Sequence, residues 1–276
     1  GLRPNAALPA SRQPPDLTRR LPPPRIALAL AGGGPLGAIY EIGALCALEE
    51  SLIGLELNRL SHYVGVSAGG FIAAGLANGI SARQLSAAFI ENTPQDVDAF
   101  DPSWLMKPAF DEFLRRGIMW PGLLVGAAWQ LTVGRKSLTR VLEHLGSGLP
   151  TGVFSNRSID TQLAALFSRD GFTNDFRKLK TRLTLVATNL DTGEATPFGS
   201  PGWDHIPISQ AVQASSALPG MYPPVEIDDQ YYVDGALKKT LHASVAMDQG
   251  VDLMLCLNPL VPFDASTPLL PRVMQR

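Results

Sequence analysis

Charge is scarce in this chain. Of its 276 residues only 17% are Asp, Glu, Lys or Arg, and the formal net charge is -2. A nucleic-acid binder needs a basic face to meet phosphates, so this composition excludes a nucleic-acid partner. Cysteine is scarcer still. Cys46 and Cys256 each sit in an apolar run and are expected to be reduced, buried and structural, since two thiols cannot staple a domain of this size. No CxxC and no His/Cys spacing suggests a metal, and nothing calls for a cofactor. Internal repeats are absent. The uncharged stretch at residues 117–134 approaches bilayer length, but four glycines, Pro121, Gln130 and Thr132 count against a membrane span.

Apolar residues are what the chain has in quantity: 45% of the total, enough to bury a substantial core in one large domain. Proline is concentrated at the start, with Pro4, Pro9, Pro14, Pro15, Pro22, Pro23 and Pro24 ruling out helix or central strand over residues 1–24. That stretch reads as a Pro-rich N-terminal arm or linker, and residues 25–276 as the folded domain. After Pro259 no clear element remains, which reads as a domain truncated at its C-terminus. The first residue is Gly rather than Met, so localisation stays open, with the cytoplasm or a membrane surface favoured.

Within the domain, Ile26–Leu30 is an apolar run of the kind found in strands covered on both faces. It ends in Gly32-Gly33-Gly34-Pro35-Leu36-Gly37. Leu36, Ile39, Tyr40, Gly43, Cys46 and Ala47 then recur at helical spacing, and Pro35 suits a first helical turn. A second unit repeats the pattern, with a strand over residues 62–66, Ser67 at its end, and a helix stopping near Asn78-Gly79. Residues 81–180 are mostly helical in pattern. Further on come a strand over 183–188, a turn at Asp191-Thr192-Gly193 into a strand over 195–198, and a short helix over 210–215. A Pro-rich corner over 219–224, strands over 225–227 and 231–233, a helix over 241–249 and a last apolar strand, Leu253–Leu257, complete the chain. Repeated strand-loop-helix units predict an α/β fold with a mainly parallel central sheet, helices on both faces, and an active site at the strand ends.

The chemistry gathers at three places. Gly65-Val66-Ser67-Ala68-Gly69 fits G-x-S-x-G, a strand-to-helix turn that lifts a serine nucleophile above the sheet. So short a pattern also arises by chance, and a serine capping a helix is the plain alternative. Context supports the nucleophile, because a strand precedes Ser67 and a helix follows, bringing the Ala68 N–H and a helix N-terminus to the reacting oxygen. Second, the glycine loop offers backbone donors for an oxyanion, Gly33 and Gly34 above all since Pro35 has no N–H. Gly32, Gly34 and Gly37 also fit G-x-G-x-x-G, a dinucleotide fingerprint. That reading wants an acidic residue closing the second strand, where this chain has Ser67, with Glu56 in the connection before it. Third, Tyr231-Tyr232-Val233-Asp234-Gly235-Ala236 is an apolar strand ending in Asp-Gly, either a turn or a carboxylate at a strand end.

Taken together, Gly32 to Gly37, Gly65 to Gly70 and Asp234-Gly235-Ala236 stand in the order and rough spacing of the patatin-like phospholipase family. The run from Ala211 to Pro219, with Pro223-Pro224 after it, resembles that family's segment before its aspartate. The resemblance, to the bacterial type of the domain, covers roughly residues 25–260. It implies Ser67 as nucleophile, Asp234 as proton acceptor, Gly32, Gly33 and Gly34 as the oxyanion loop, and Gly37, Gly65, Gly69 and Gly235 as motif glycines. One departure is Leu36, where many family members carry Arg or Lys, so a cation's help at that point is missing.

The histidines decide between a triad and a dyad. An α/β-hydrolase runs Ser, Asp or Glu, then His; His62, His144 and His205 precede Asp234, and His242 follows by only eight residues in an apparent helix, suggesting a surface or capping role. A dyad is therefore expected, with desolvation raising the proton affinity of Asp234. The expected function is a lipid acyl hydrolase, phospholipase A-type or esterase, working through an acyl-enzyme on Ser67. An acyltransferase sharing that intermediate and a non-catalytic lipid- or nucleotide-binding module are the alternatives. The expected partner is a lipid or acyl-ester substrate met at a membrane or lipid aggregate, with Trp120, Leu123, Leu124 and Trp129 as candidate acyl-groove or lipid contacts.

Overall fold

A computed structural model describes residues 23–91, 157–219 and 222–261. Most of the Pro-rich arm, the uncharged stretch 117–134 with Trp120, Leu123, Leu124 and Trp129, His144, and residues 262–276 lie outside the described residues.

Among the described residues seven strands form one sheet. β1 (Ile26–Leu30), β2 (His62–Gly65), β3 (Arg182–Asn189) and β7 (Leu253–Leu257) make a parallel block in the order β3-β2-β1-β7. β4 (Ala195–Phe198), β5 (Val225–Ile227) and β6 (Gln230–Asp234) extend it with antiparallel pairings. Two strand-loop-helix units in succession force parallel neighbours, because each crossover helix returns the chain to the edge it left. The later strands need only tight turns. β5 and β6 are joined by Asp228-Asp229, both at positive φ (49° and 58°), the backbone of a two-residue hairpin turn. Pro197 is tolerated in β4 because, among the described residues, that strand pairs with β3 alone.

The helices are α1 (Gly34–Ser51), α2 (Ala68–Ala77), α3 (Ala82–Ser86), α4 (Arg157–Phe167), α5 (Ile208–Ser215) and α6 (Ser244–Met247). Alternation along the strands sorts the two faces of the sheet. Leu28, Leu30, Tyr63, Leu185 and Ala187 point into a large core shared with α1, α2, α4 and α5. Ala27, Ala29, Val64, Val66 and Val186 point the other way, into a small cluster whose helical member is Ala246 of α6. Helices thus lie on both faces, as expected, but the large side chains are on the face that carries the long helices.

Four local expectations need correction. α1 exists, but its buried stripe is Gly37, Ala38, Glu41, Ile42 and Leu45, while Leu36 and Tyr40 are exposed at 73% and 57%. The face with small residues goes inward because it allows closest approach: a β-carbon added at Gly37 would come 2.9 Å from the Pro259 ring. Cys256 is exposed, not buried, since β7 is the edge of the described sheet; Cys46 is half-buried. The predicted helix over 241–249 is only the single turn of α6, with Leu241 and His242 in the loop before it. His242 is buried rather than on the surface. Among the described residues no helix is long and apolar enough to cross a membrane.

Candidate active site

β3 brings the site together. A strand has two hydrogen-bonding edges, and β4 occupies one of them over residues 185–188 of β3. β2 and β6 must therefore share the other. β2 runs along it up to Gly65, opposite Leu185, and β6 arrives from the opposite direction and ends with Asp234, opposite Ala187. The two strands meet end to end with Val186 between them. Ser67 follows one end and Asp234 closes the other, so residues far apart in sequence are adjacent here.

Ser67 leaves β2 at φ 52° and ψ -123°, a region that L side chains rarely occupy, and α2 begins at the next residue. This is the strained elbow expected of G-x-S-x-G. Its glycines serve packing. A β-carbon at Gly69 would lie 2.6 Å from the Ala31 carbonyl oxygen, and one at Gly65 would lie 2.7 Å from that of Gly69. Only glycines let the start of α2 press onto β1 and β2 this closely. The Ser67 N–H donates to the Ser215 hydroxyl (2.9 Å), which donates in turn to the Val186 carbonyl (2.6 Å).

Asp234 is held from three sides. Its N–H donates to the Ala217 carbonyl (3.0 Å), its own carbonyl accepts from the Thr188 hydroxyl (3.2 Å), and its carboxylate accepts the Ala236 N–H (2.8 Å). Burial dominates its acidity and raises the pKa to about 6; the Ser67 hydroxyl beside the carboxylate and the Ala236 N–H pull the other way. Gly235 must be glycine, because a β-carbon there would overlap the Val186 carbonyl oxygen.

The glycine loop lies against Ser67 and against Ala236, two residues beyond Asp234. A β-carbon on Gly32 would come 2.9 Å from Cβ of Ala236 and 3.3 Å from Cβ of Ser67. The Gly32 N–H is engaged, donating to the Thr240 carbonyl at 2.9 Å, which removes it from the expected set of oxyanion donors. Gly34 and Ala68 open α1 and α2, and Gly33 caps α1, so their N–H groups have no intrahelical acceptor. Pro259, after β7, packs against Gly33 and Gly37.

None of the histidines among the described residues is hydrogen-bonded to Asp234. His242 reaches the Gly235 carbonyl with Nε2 at 3.4 Å, and burial lowers its pKa. His62, in β2, meets the Thr184 hydroxyl at 2.9 Å; burial lowers its pKa to about 4, so it is neutral. His205 pairs with Asp228 at the surface (2.9 Å). Glu56, in the connection before β2 rather than at its end, pairs with Arg59 at the surface at 2.9 Å. Among the described residues no group of three or more His, Cys, Asp or Glu could hold a metal.

Sequence reading missed the supports of this site. Ser215 and Thr188 act through their hydroxyls, Ala217 and Thr240 through their carbonyls and Pro259 through its ring, long-range contacts that leave no periodic signal. Glu41 did leave one, a lone carboxyl inside an apolar helical window. It is fully buried, and neither oxygen has a hydrogen-bond partner among the described residues. Burial raises its pKa to about 9; the nearby Ala31 N–H opposes the shift but is given to the Leu257 carbonyl at 3.1 Å and forms no hydrogen bond with Glu41.

Comparison with known families matches residues 28–247 to the description Patatin-like phospholipase. The chain belongs to the patatin-like phospholipase family. Among solved structures it is similar to VipD from Legionella pneumophila, at 19% identity and a TM-score of 0.46, covering 85% of this chain and 49% of VipD. It is also similar to the type III effector ExoU, at 23% identity and a TM-score of 0.36, covering 72% of this chain and 41% of ExoU. A structure of full-length ExoU with SpcU from Pseudomonas aeruginosa aligns at 22% identity and a TM-score of 0.31, covering 70% and 38%. The patatin-like chain described here thus spans half or less of these proteins.

Proposed function

We propose that this chain is a lipid acyl hydrolase that cleaves acyl esters with Ser67 as nucleophile and Asp234 as its only side-chain base. The observation that carries the reading is the end-to-end meeting of β2 and β6 on one edge of β3, which pairs a serine in a strained elbow with a buried aspartate. Family membership supports the substrate class. Asp234, with a pKa raised to about 6, is a stronger base than an ordinary carboxylate yet is still mostly ionised at neutral pH.

In this reading the Ser67 hydroxyl adds to the ester carbonyl as its proton passes to Asp234. The N–H groups of Gly33, Gly34 and Ala68 receive the negative oxygen of the tetrahedral intermediate, and the α2 N-terminus favours the same charge. Collapse expels the alcohol or lysolipid, which takes the proton from Asp234. Water then repeats the sequence on the acyl-enzyme, losing its proton to Asp234 and releasing the fatty acid and free Ser67.

A fluorophosphonate probe should label the wild type and leave Ser67→Ala unlabelled, and a panel of phospholipids and simple esters should be hydrolysed by the first alone. His242→Ala should keep most of its activity. If it loses as much as Ser67→Ala with folding intact, a triad replaces the dyad. Analysing products with an alcohol acceptor present separates hydrolysis from acyl transfer.

A further inference from the structure

Ser215, the last residue of α5, is fully buried, and its hydroxyl bonds outside the helix. Val66 still follows the β-ladder, donating its N–H to Leu30 on the β1 side at 3.2 Å. At Ser67 the backbone turns to positive φ and its N–H leaves the β2–β3 ladder, which ends at Gly65 and Leu185. The Val186 carbonyl faces the gap between β2 and β6. A hydroxyl has one proton to give and lone pairs to accept with. Ser215 gives its proton to Val186 and accepts the Ser67 N–H, so one oxygen bridges the two strands where their direct pairing stops.

The same turn of chain reaches the other reacting residue. Two residues after Ser215, the Ala217 carbonyl accepts the Asp234 N–H at 3.0 Å. Both contacts come from the C-terminal end of α5, which is seated in the main core through Ile208, Ala211, Val212 and Ala214. We infer that Ser215 is the positioning residue of the reacting pair: its hydroxyl is a rung inserted between β2 and β3 that fixes Ser67 in its strained conformation, while Ala217 fixes Asp234, so one helix end sets their separation. This inference rests on the dyad reading above. It assigns Ser215 no contact with substrate.

Removing the rung should disturb the transition state more than substrate binding, because a small misplacement of a nucleophile can lower turnover by about a hundredfold. The test compares wild type, Ser215→Ala, Ser215→Thr and Ser216→Ala by fluorophosphonate inactivation rate and by kcat and KM on a monomeric ester. The Ser216 hydroxyl is also buried but has no hydrogen-bond partner among the described residues, so it is the control for losing a buried hydroxyl nearby. Ser215→Ala should lower kcat and the inactivation rate by about tenfold to a hundredfold with KM within about twofold, Ser215→Thr should recover much of the loss, and Ser216→Ala should stay near wild type. If Ser215→Ala does not fold, Ser215→Cys, similar in size with a weaker acceptor, takes its place. A kcat within about twofold of wild type in whichever variant folds, or equal losses at Ser215 and Ser216, overturns the inference. A wild type that the probe does not label overturns the dyad reading instead.

Discussion

Asp234, in the gap along β3, and Glu41, in the corner between α1 and the end of β1, are both carboxyls closed off from water, yet their surroundings differ. Asp234 accepts the Ala236 N–H and lies beside the Ser67 hydroxyl, and its pKa is raised to about 6. Glu41 has no hydrogen-bond partner for either oxygen among the described residues, and its pKa is raised to about 9. Burial penalises the charged form in both places; local donors decide how much of the penalty remains. At neutral pH the first carboxyl is therefore mainly ionised and available as a base, and the second is protonated and inert. A buried acid is not by itself a catalytic one.

The comparison is broken most sharply by Asp234→Asn. Turnover should fall about a thousandfold or more, while the Asn oxygen can still accept the Ala236 N–H. The same change should stabilise the fold at pH 8. A carboxyl whose folded pKa is raised contributes stability that is present below its unfolded pKa, near 4, and lost as pH rises through about 6. For Asp234 that loss amounts to about 3 kcal/mol, and the substitution removes it. Urea unfolding of both proteins at pH 4 and pH 8 checks this; an Asn variant less stable than wild type at pH 8 contradicts it.

Glu41→Gln should leave turnover within about twofold of wild type and act on stability alone. Between about pH 4.5 and pH 9 the wild type should lose about 1.4 kcal/mol per pH unit relative to the variant, because the unfolded chain ionises first. Unfolding midpoints measured across that range test it. A parallel pair of stability profiles would mean that Glu41 has the acidity of an ordinary carboxyl.

The smallest effect is also the most direct link to mechanism. For a monomeric ester, kcat/KM should fall on the acid side with a midpoint near pH 6, as Asp234 takes up its proton. Glu41→Gln should not move that midpoint. A midpoint near 4 would indicate that the base is a solvated carboxylate.

Much of the architecture could be read from sequence because its signals are local. The apolar runs that became β1, β2, β3 and β7, the glycine loop, the G-x-S-x-G turn and the Asp-Gly end of β6 all carry their meaning within a few residues. The nearness of Ser67 and Asp234 could be expected from the resemblance, but the reason for it could not. That reason is a shared edge of β3, a property of pairing between distant strands. The buried face of α1 was misread because apolar residues lie on both sides of that helix, and the choice fell to the side where Gly37 and Ala38 permit close contact. The expectation of a surface or capping role for His242 rests on a helix over residues 241–249, whereas the helix forms only from Ser244 onward. In the loop its ring turns inward to the Gly235 carbonyl.

The position of β7 has a consequence for the order in which the molecule is completed. The Gly32–Gly34 loop is among the first parts of the domain to be synthesised, yet what shapes it comes last: the Thr240 carbonyl on Gly32, the Leu257 carbonyl on Ala31, and Pro259 against Gly33 and Gly37. Arg25 and Asp252, which join the start of β1 to β7 at 2.7 Å, are 227 residues apart. Closures over such distances are slow, and a growing chain folds its early segments first. Ser67 and even Asp234 will have emerged before the loop beside them can take its final shape. Among the described residues, the last strand to appear is thus the one that finishes the first loop.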